Sequence, residues 1–241
     1  FLLKLNPVVG KILEVGCGKG LLLKKMQEVG WDVMGTELSD NSAKIAKSNG
    51  LVVYQKEVEQ CELKENNYNL IVLFHVLEHL TYPLHTLKCL YSLSSSADGV
   101  ICIEVPNIGS WYGRFFKSHW FHLDSPRHLY HFNKESLCHM IKESGYKVTS
   151  VSTHNIQYDS FGAIQSFLNM LFPEYNLLNN YNTGEITLKI LWINKKYQSI
   201  LNLIVSQLLL VIGYPILAII EMILKPWVKG GTLRVIATKE N

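Results

Sequence analysis

A chain of 241 residues with 48% hydrophobic content holds enough apolar material for one large α/β domain, or for a smaller domain with an addition. Its formal charge of +3, with no arginine cluster and no interleaving of basic and aromatic residues, excludes a nucleic-acid-binding module. With only 18% charged residues and a mean hydropathy of +0.10, the apolar content is high for a soluble chain, and the excess needs a location.

The start, FLLKLNPVVGKILEVG, has too short an apolar portion for a signal peptide and runs at once into a predicted strand over 11–15. Because the chain begins without Met and almost at that strand, a preceding N-terminal portion is expected. Residues 21–29 predict a helix stopped at Gly30, and WDVMGTEL a strand ending at Glu37. A helix follows over 39–48, capped by Ser39 or Asp40, then a short strand over 51–55. The run NLIVLFHVL, 69–77, has the continuous apolar character of a central parallel strand. A helix over 83–93 and the strand GVICIEVP, 99–106, come next. This alternation predicts a doubly wound sheet, whose ligand belongs at the carboxyl ends of the strands. Those ends carry Gly16, Glu37, His75 and Glu104.

Residues 107–132, rich in Trp, His, Tyr and Phe, read as a lid or acceptor loop; 134–144 predict a helix, 146–154 a strand, and 232–238 the final strand. Before that strand, 198–220 holds no charged residue and is flanked by Lys195, Lys196, Lys225 and Lys229. Such a stretch meets the length of a membrane span, roughly 20 residues. Gln198, Asn202 and Ser206, however, fall on a narrow polar side. If the final strand joins the same sheet as the first, a single crossing would strand it on the wrong side of a bilayer. A hairpin broken near Gly213, Tyr214 and Pro215 would return the chain. Two packed helices or a dimer contact, a membrane-surface element over 198–224, and a true span all stay open. The organisation expected is a single domain over 1–241 with a largely helical insertion at 156–230. Five cysteines, odd in number and without a CxxC pair, predict reduced thiols in a cytoplasmic chain.

The glycines of EVGCGKG, Gly16, Gly18 and Gly20, permit a tight turn and close approach of a ligand. A dinucleotide fingerprint would read GxGxxG and present its helix end to a pyrophosphate. Here the spacing is GxGxG with Glu14 just before it, which favours a ligand carrying a cation. Glu37 at the second strand's end can accept from both hydroxyls of a ribose. Glu14, inside an apolar strand, requires a partner there.

The segments ILEVGCGKG, GTELS, NLIVLFHVLEHL and GVICIEVPN, in that order and spacing, resemble the class I S-adenosylmethionine-dependent methyltransferases, specifically the group similar to ubiquinone-biosynthesis-type O-methyltransferases. LDSPRHLYHF, 123–132, is similar to one branch of that group, and the resemblance covers most of 7–155 and the final strand. It implies a Rossmann-like, seven-stranded, mostly parallel sheet with an antiparallel last strand, before which this chain places its apolar helical insertion. It implies S-adenosylmethionine as cofactor, with Gly16, Cys17 and Gly18 under its methionyl part, Glu14 near its ammonium, Glu37 on the ribose and Leu38 against the adenine. Val58, in the EVEQ segment, falls where the family contacts the adenine amine, although Glu57, Val58 and Glu59 lack the usual Asp. His75 would stand beside the sulfonium. The implied reaction is methyl transfer to a small or lipid-like acceptor, on oxygen.

Displacement on a methyl group requires an aligned acceptor and removal of its proton. His79, next to Glu78, is the chosen candidate base, with His75 as a second and a structural role equally open. Arg127 can bind an acceptor carboxylate or phosphate, or clamp an acid such as Glu104 or Asp124. His75 and His79 do not form the HExxH of a metal hydrolase, and no metal is expected, a site on His119 and His122 being the remaining option. Two rivals stand beside this reading. A nicotinamide-dependent oxidoreductase is disfavoured by the glycine spacing, and a non-catalytic scaffold would keep the cofactor fold without turnover.

Overall fold

A computed structural model of the chain describes residues 2–5, 9–225 and 227–239. The elements in chain order are α1 (Leu2–Leu5), β1 (Lys11–Val15), α2 (Leu21–Glu28), β2 (Asp32–Thr36), α3 (Asp40–Ser48), β3 (Val53–Tyr54), β4 (Leu70–Phe74), α4 (Pro83–Leu93), β5 (Val100–Pro106) and α5 (Trp111–Phe116). They continue with α6 (Lys134–Glu143), β6 (Tyr146–Ser152), α7 (Ile156–Leu171), α8 (Leu177–Asn182), α9 (Leu188–Ile193), α10 (Tyr197–Leu224) and β7 (Thr232–Lys239). The chain gathers into two compact units: Phe1–Val105 with Lys134–Ser152 and Arg234–Asn241, and Pro106–Asn133 with Thr153–Leu233. The aromatic segment and the helical insertion thus share one unit.

The first unit is built on a seven-stranded sheet of order β3-β2-β1-β4-β5-β7-β6. Strands β1 to β5 run parallel to one another, and β7 is antiparallel to β6. The pattern of apolar residues explains the order. Leu70 to Leu73 and Ile101 to Ile103 are all buried, as strands covered on both faces must be. Each such Leu or Ile contributes roughly 1.5–3 kcal/mol on leaving water. The helices follow local signals: Ser39 caps α3 by accepting from the Ser42 amide, and Pro83 opens α4 at a position where no amide is needed.

The second unit is helical. Its core joins Ile164 and Leu168 of α7 to Leu177 and Leu178 of α8, Leu191 of α9 and Leu203 of α10. Of the alternatives open in the sequence, the hairpin broken near Gly213 and Pro215 is not formed: α10 is one helix of 28 residues that runs through Pro215. Proline deprives the Val211 carbonyl of its partner and favours a kink. Contacts on both sides of it, Leu203 and Leu210 before and Leu217 after, hold the helix to the same core and outweigh that cost. The residues of α10 that turn inward include Ser199, Asn202, Ser206 and Glu221. Ser199 and Asn202 both donate to Glu174, at 2.6 and 3.0 Å, while Leu208, Val211, Ile212, Ile216, Ile219 and Ile223 stand exposed.

Candidate active site

Strand β1 delivers the chain into the glycine turn at the carboxyl edge of the sheet. At Gly16 φ is +69°, and a Cβ would stand 2.5 Å from Val76 Cγ2, so packing alone requires glycine there. At Gly18 φ is +54°, and nothing lies within 4 Å of where a Cβ would be. That open space is the approach a ligand needs. The Gly18 amide donates to Glu37 Oε2 at 2.8 Å and the Ser39 amide to Oε1 at 2.7 Å. Two backbone donors thereby fix the carboxylate at the end of β2 and leave lone pairs for a vicinal diol.

Glu14 lies on β1 just before the glycine turn. Its side chain is buried, it accepts from the Leu23 amide in the first turn of α2, and its Oε2 has no hydrogen-bond partner. Burial raises its pKa to about 8; the Leu23 amide opposes the rise and the charge of Glu37 adds to it. Such a carboxyl accommodates an ammonium group by ionising beside it. Burial likewise raises the Cys17 thiol to about 12, with Glu14 and Glu37 adding, so Cys17 is protonated and not a nucleophile.

After β4 the backbone turns at His75, whose φ is +56° and whose amide donates to the Glu104 carbonyl at 2.8 Å. The imidazole stands between two carboxylates, Nδ1 3.5 Å from Glu78 Oε1 and Nε2 3.4 Å from Glu104 Oε1. Burial pulls its pKa down, but hydrogen bonding and charge from Glu104 and Glu78 outweigh that and raise it to about 9. His75 is therefore an imidazolium at neutral pH and has no lone pair with which to take a proton. Glu104 is itself anchored by Arg234 of β7, whose Nε donates to Oε2 at 2.6 Å. A charge inside an apolar strand must be paired. That requirement was the available sequence signal for Arg234, although it does not name the partner.

Gly16, Glu37, Leu38, Val58, His75 and His79 line one cleft of about 460 Å³ in the sheet unit. Val58 is buried, whereas Leu38 and His79 are exposed. Gly18 and Glu14 join this group through Glu37 and the glycine turn. Tyr82, His85 and Thr86 at the start of α4 complete the lining, and the Thr86 hydroxyl donates to Glu59. The EVEQ wall is closed by Gln60 donating to Glu57 at 3.1 Å.

Arg127 belongs to the helical unit. Its fork grips Asp124, Nε to Oδ2 and Nη2 to Oδ1 each at 3.0 Å, with Glu185 at 3.8 Å. Of the acids named from sequence, Asp124 is thus its partner and Glu104 is taken by Arg234. The same unit holds an apolar cavity of about 520 Å³, walled by Trp111, Phe116, Ile164, Phe167, Leu209 and Leu217.

A glycine turn, a fixed acid after β2 and an open cleft at the switch of a doubly wound sheet fit an adenosyl ligand with an ammonium group. Residues 1–151 match the family model described as a methyltransferase domain, and the chain belongs to that methyltransferase family. Among curated relatives, a ubiquinone biosynthesis O-methyltransferase of Nitrosospira multiformis is 30% identical over 42% of this chain and 40% of its own length. A ubiquinone biosynthesis O-methyltransferase of Haemophilus ducreyi is 28% identical over 43% of this chain and 49% of its own. The matched stretch spans under half the length of these relatives. Among solved structures, a SAM-dependent methyltransferase of Archaeoglobus fulgidus superposes with a TM-score of 0.58 at 17% identity, covering 96% of this chain and 86% of that one. Phosphoethanolamine N-methyltransferase 2 of Haemonchus contortus, in complex with S-adenosyl-L-methionine, gives 0.62 at 13% identity over 100% of this chain and 51% of its own. At these identities the structural likeness concerns the fold.

Proposed function

We propose that this chain transfers a methyl group from S-adenosylmethionine to an oxygen of a lipid-like acceptor at a cytoplasmic membrane surface. The observation that carries the cofactor assignment is the Glu37 carboxylate, fixed by the Gly18 and Ser39 amides beside the open face of Gly18. S-adenosylmethionine, when bound, would supply the methyl group from its sulfonium, the sulfur leaving as a neutral thioether. Within the chain, Glu37 holds the ribose hydroxyls, Glu14 ionises beside the ammonium, and Leu38 and Val58 pack on the adenine. His75, charged between Glu78 and Glu104, fixes the floor of the cleft rather than taking a proton. His79, exposed in the cleft lining, takes the proton of the acceptor hydroxyl. The choice of oxygen is supported by the curated relatives, whose names are O-methyltransferases.

The lipid-like acceptor is supported by the helical unit. Helix α10 has a mean hydropathy of 2.5 over its most apolar stretch, of which 11% is buried. Lys195 and Lys196 stand exposed before it, Lys225 and Lys229 at and beyond its end, and Trp192, Tyr197 and Trp227 flank it. An apolar face bordered by lysines and interfacial aromatics matches an anionic bilayer surface.

The test is transfer of label from methyl-labelled S-adenosylmethionine to bacterial lipid extract, alongside calorimetric binding. Label in the organic phase, stable to mild base, with affinity for S-adenosylhomocysteine weakened by roughly 1–3 kcal/mol in Glu37→Ala, supports the proposal. Cofactor binding without transfer to any extract favours the scaffold reading.

A further inference from the structure

Outside the cleft, the helical unit gathers three metal-ligating side chains that the proposed reaction does not use. They are His154 just before α7, Asp159 in its first turn and Glu221 in the last turn of α10. One ligand atom from each lies within 4.8 Å of the other two. The side chains of His154 and Glu221 are only 8% and 5% exposed. Yet His154 Nδ1 and Glu221 Oε1 have no hydrogen-bond partner.

The spacing separates two explanations. A charge-assisted hydrogen bond would draw nitrogen and oxygen to about 2.7–2.9 Å. His154 Nδ1 and Glu221 Oε2 stand 3.4 Å apart. Two ligands bound at roughly 2.0–2.1 Å to a tetrahedral ion are about 3.3–3.4 Å from each other.

The surrounding groups orient the donors. The carbonyls of Val228 and Lys225 accept from the His154 ring, and since Nδ1 makes no hydrogen bond, the proton sits on Nε2 and the Nδ1 lone pair faces the acids. Asp159 accepts from the Thr232 hydroxyl at 2.8 Å through Oδ1 and from the Asn155 amide at 3.2 Å through Oδ2. A Cβ on Gly230 would stand 2.7 Å from both Asp159 Oδ2 and His154 Nδ1. These two donors converge beside a residue that leaves them room only because it is glycine.

We propose that His154 Nδ1 and one carboxylate oxygen each from Asp159 and Glu221 bind a single divalent transition-metal ion, zinc by donor set, which ties the last turn of α10 to the entry of α7. One imidazole and two carboxylates suit a borderline ion, whereas an all-oxygen set would favour magnesium. Two carboxylates also offset both charges of the ion in a buried place.

The experiment uses the full chain, stripped with chelator and titrated with zinc chloride against a competing chromophoric chelator. It is run at pH 8 because burial raises Glu221 to about 7 and a proton competes below that. One zinc per chain, a melting temperature raised by saturating zinc but not by magnesium, and at least tenfold weaker binding in His154→Gln and in Glu221→Gln are expected. Cobalt loading should give the visible absorption of a tetrahedral site. The wild-type stoichiometry and cobalt spectrum need no variant, so they decide even if a variant fails to fold. Absence of stoichiometric zinc from folded wild-type protein overturns the proposal. So does binding with an unchanged cobalt spectrum in both variants, which would move the ion to other groups such as His139 and Glu143.

Discussion

The sheet unit and the helical unit dispose of their apolar residues in opposite ways. In the first, Leu70 to Leu73 are fully buried, and Lys11, Asp32, Asp40 and Lys44 lie outside in exposed pairs. In the second, α10 turns Ser199 and Asn202 inward onto Glu174, buries Ser206 against its own backbone, and leaves Ile204, Ile212, Ile216, Ile219 and Ile223 outside. On the proposed membrane-surface reading, burial follows the solvent a surface meets. A face that dissolves in lipid gains nothing by hiding from it, and the polar side chains then supply the internal contacts.

Four substitutions or titrations sharpen or break this contrast. The largest effect belongs to the chemistry of the sheet unit: His79→Ala should lower kcat by roughly 10²–10⁴-fold with cofactor affinity unchanged, read from turnover beside calorimetry. A fall no greater than threefold would leave His79 a structural residue. Next, Ile71→Ala should cost about 2–5 kcal/mol in urea unfolding, whereas Ile212→Ala on the outer face of α10 should cost within about 0.5 kcal/mol. Equal costs would show that α10 is covered by protein in solution, as in a dimer.

Third, Ile212→Glu combined with Ile216→Glu should leave stability unchanged and reduce binding to anionic vesicles by more than about tenfold, since each apolar side chain is worth roughly 1.5–3 kcal/mol on leaving water. Cosedimentation with vesicles of phosphatidylglycerol reads it, and undiminished binding sinks the membrane-surface reading. The smallest effect is a pH dependence. Glu14, with its pKa near 8 in the free chain, must lose a proton to face an ammonium, so affinity for S-adenosylhomocysteine should rise up to about tenfold from pH 6.5 to 8 and stay flat in Glu14→Gln. In the free chain both Glu14 and His75 hold protons more tightly when folded. Their stabilisation is complete below the ordinary values of 4.5 and 6.5 and is lost as pH rises through about 8 and about 9, so the melting temperature should fall over that range.

Much of the sheet unit was legible because its signals are local. The bounds of α4, the capping of α3 by Ser39 and the strand through KILEV follow from neighbours in sequence. The glycine turn and Glu37 were legible for the same reason, since the spacing alone sets them at adjacent strand ends. The bond of Arg234 to Glu104 was not, because 130 residues separate the two and no periodicity encodes a partner. His75, Glu78 and Glu104 were each visible as residue types, but their meeting was not, because it depends on β4 and β5 lying side by side. The course of α10 stayed open in the sequence at Pro215, because a local breaker does not reveal the packing of Leu210 and Leu217 that spans it.

Strand β7 lies between β5 and β6, yet it is made after all of α10. A growing chain therefore cannot seat β6 in the sheet, or give Glu104 its arginine, until the apolar helix has already left the ribosome. Birth order exposes the greasiest segment while the catalytic scaffold is unfinished, an interval in which a waiting bilayer or a chaperone competes with aggregation. Messages cut short within that interval should yield products that partition to membranes without ever completing the cofactor cleft's floor.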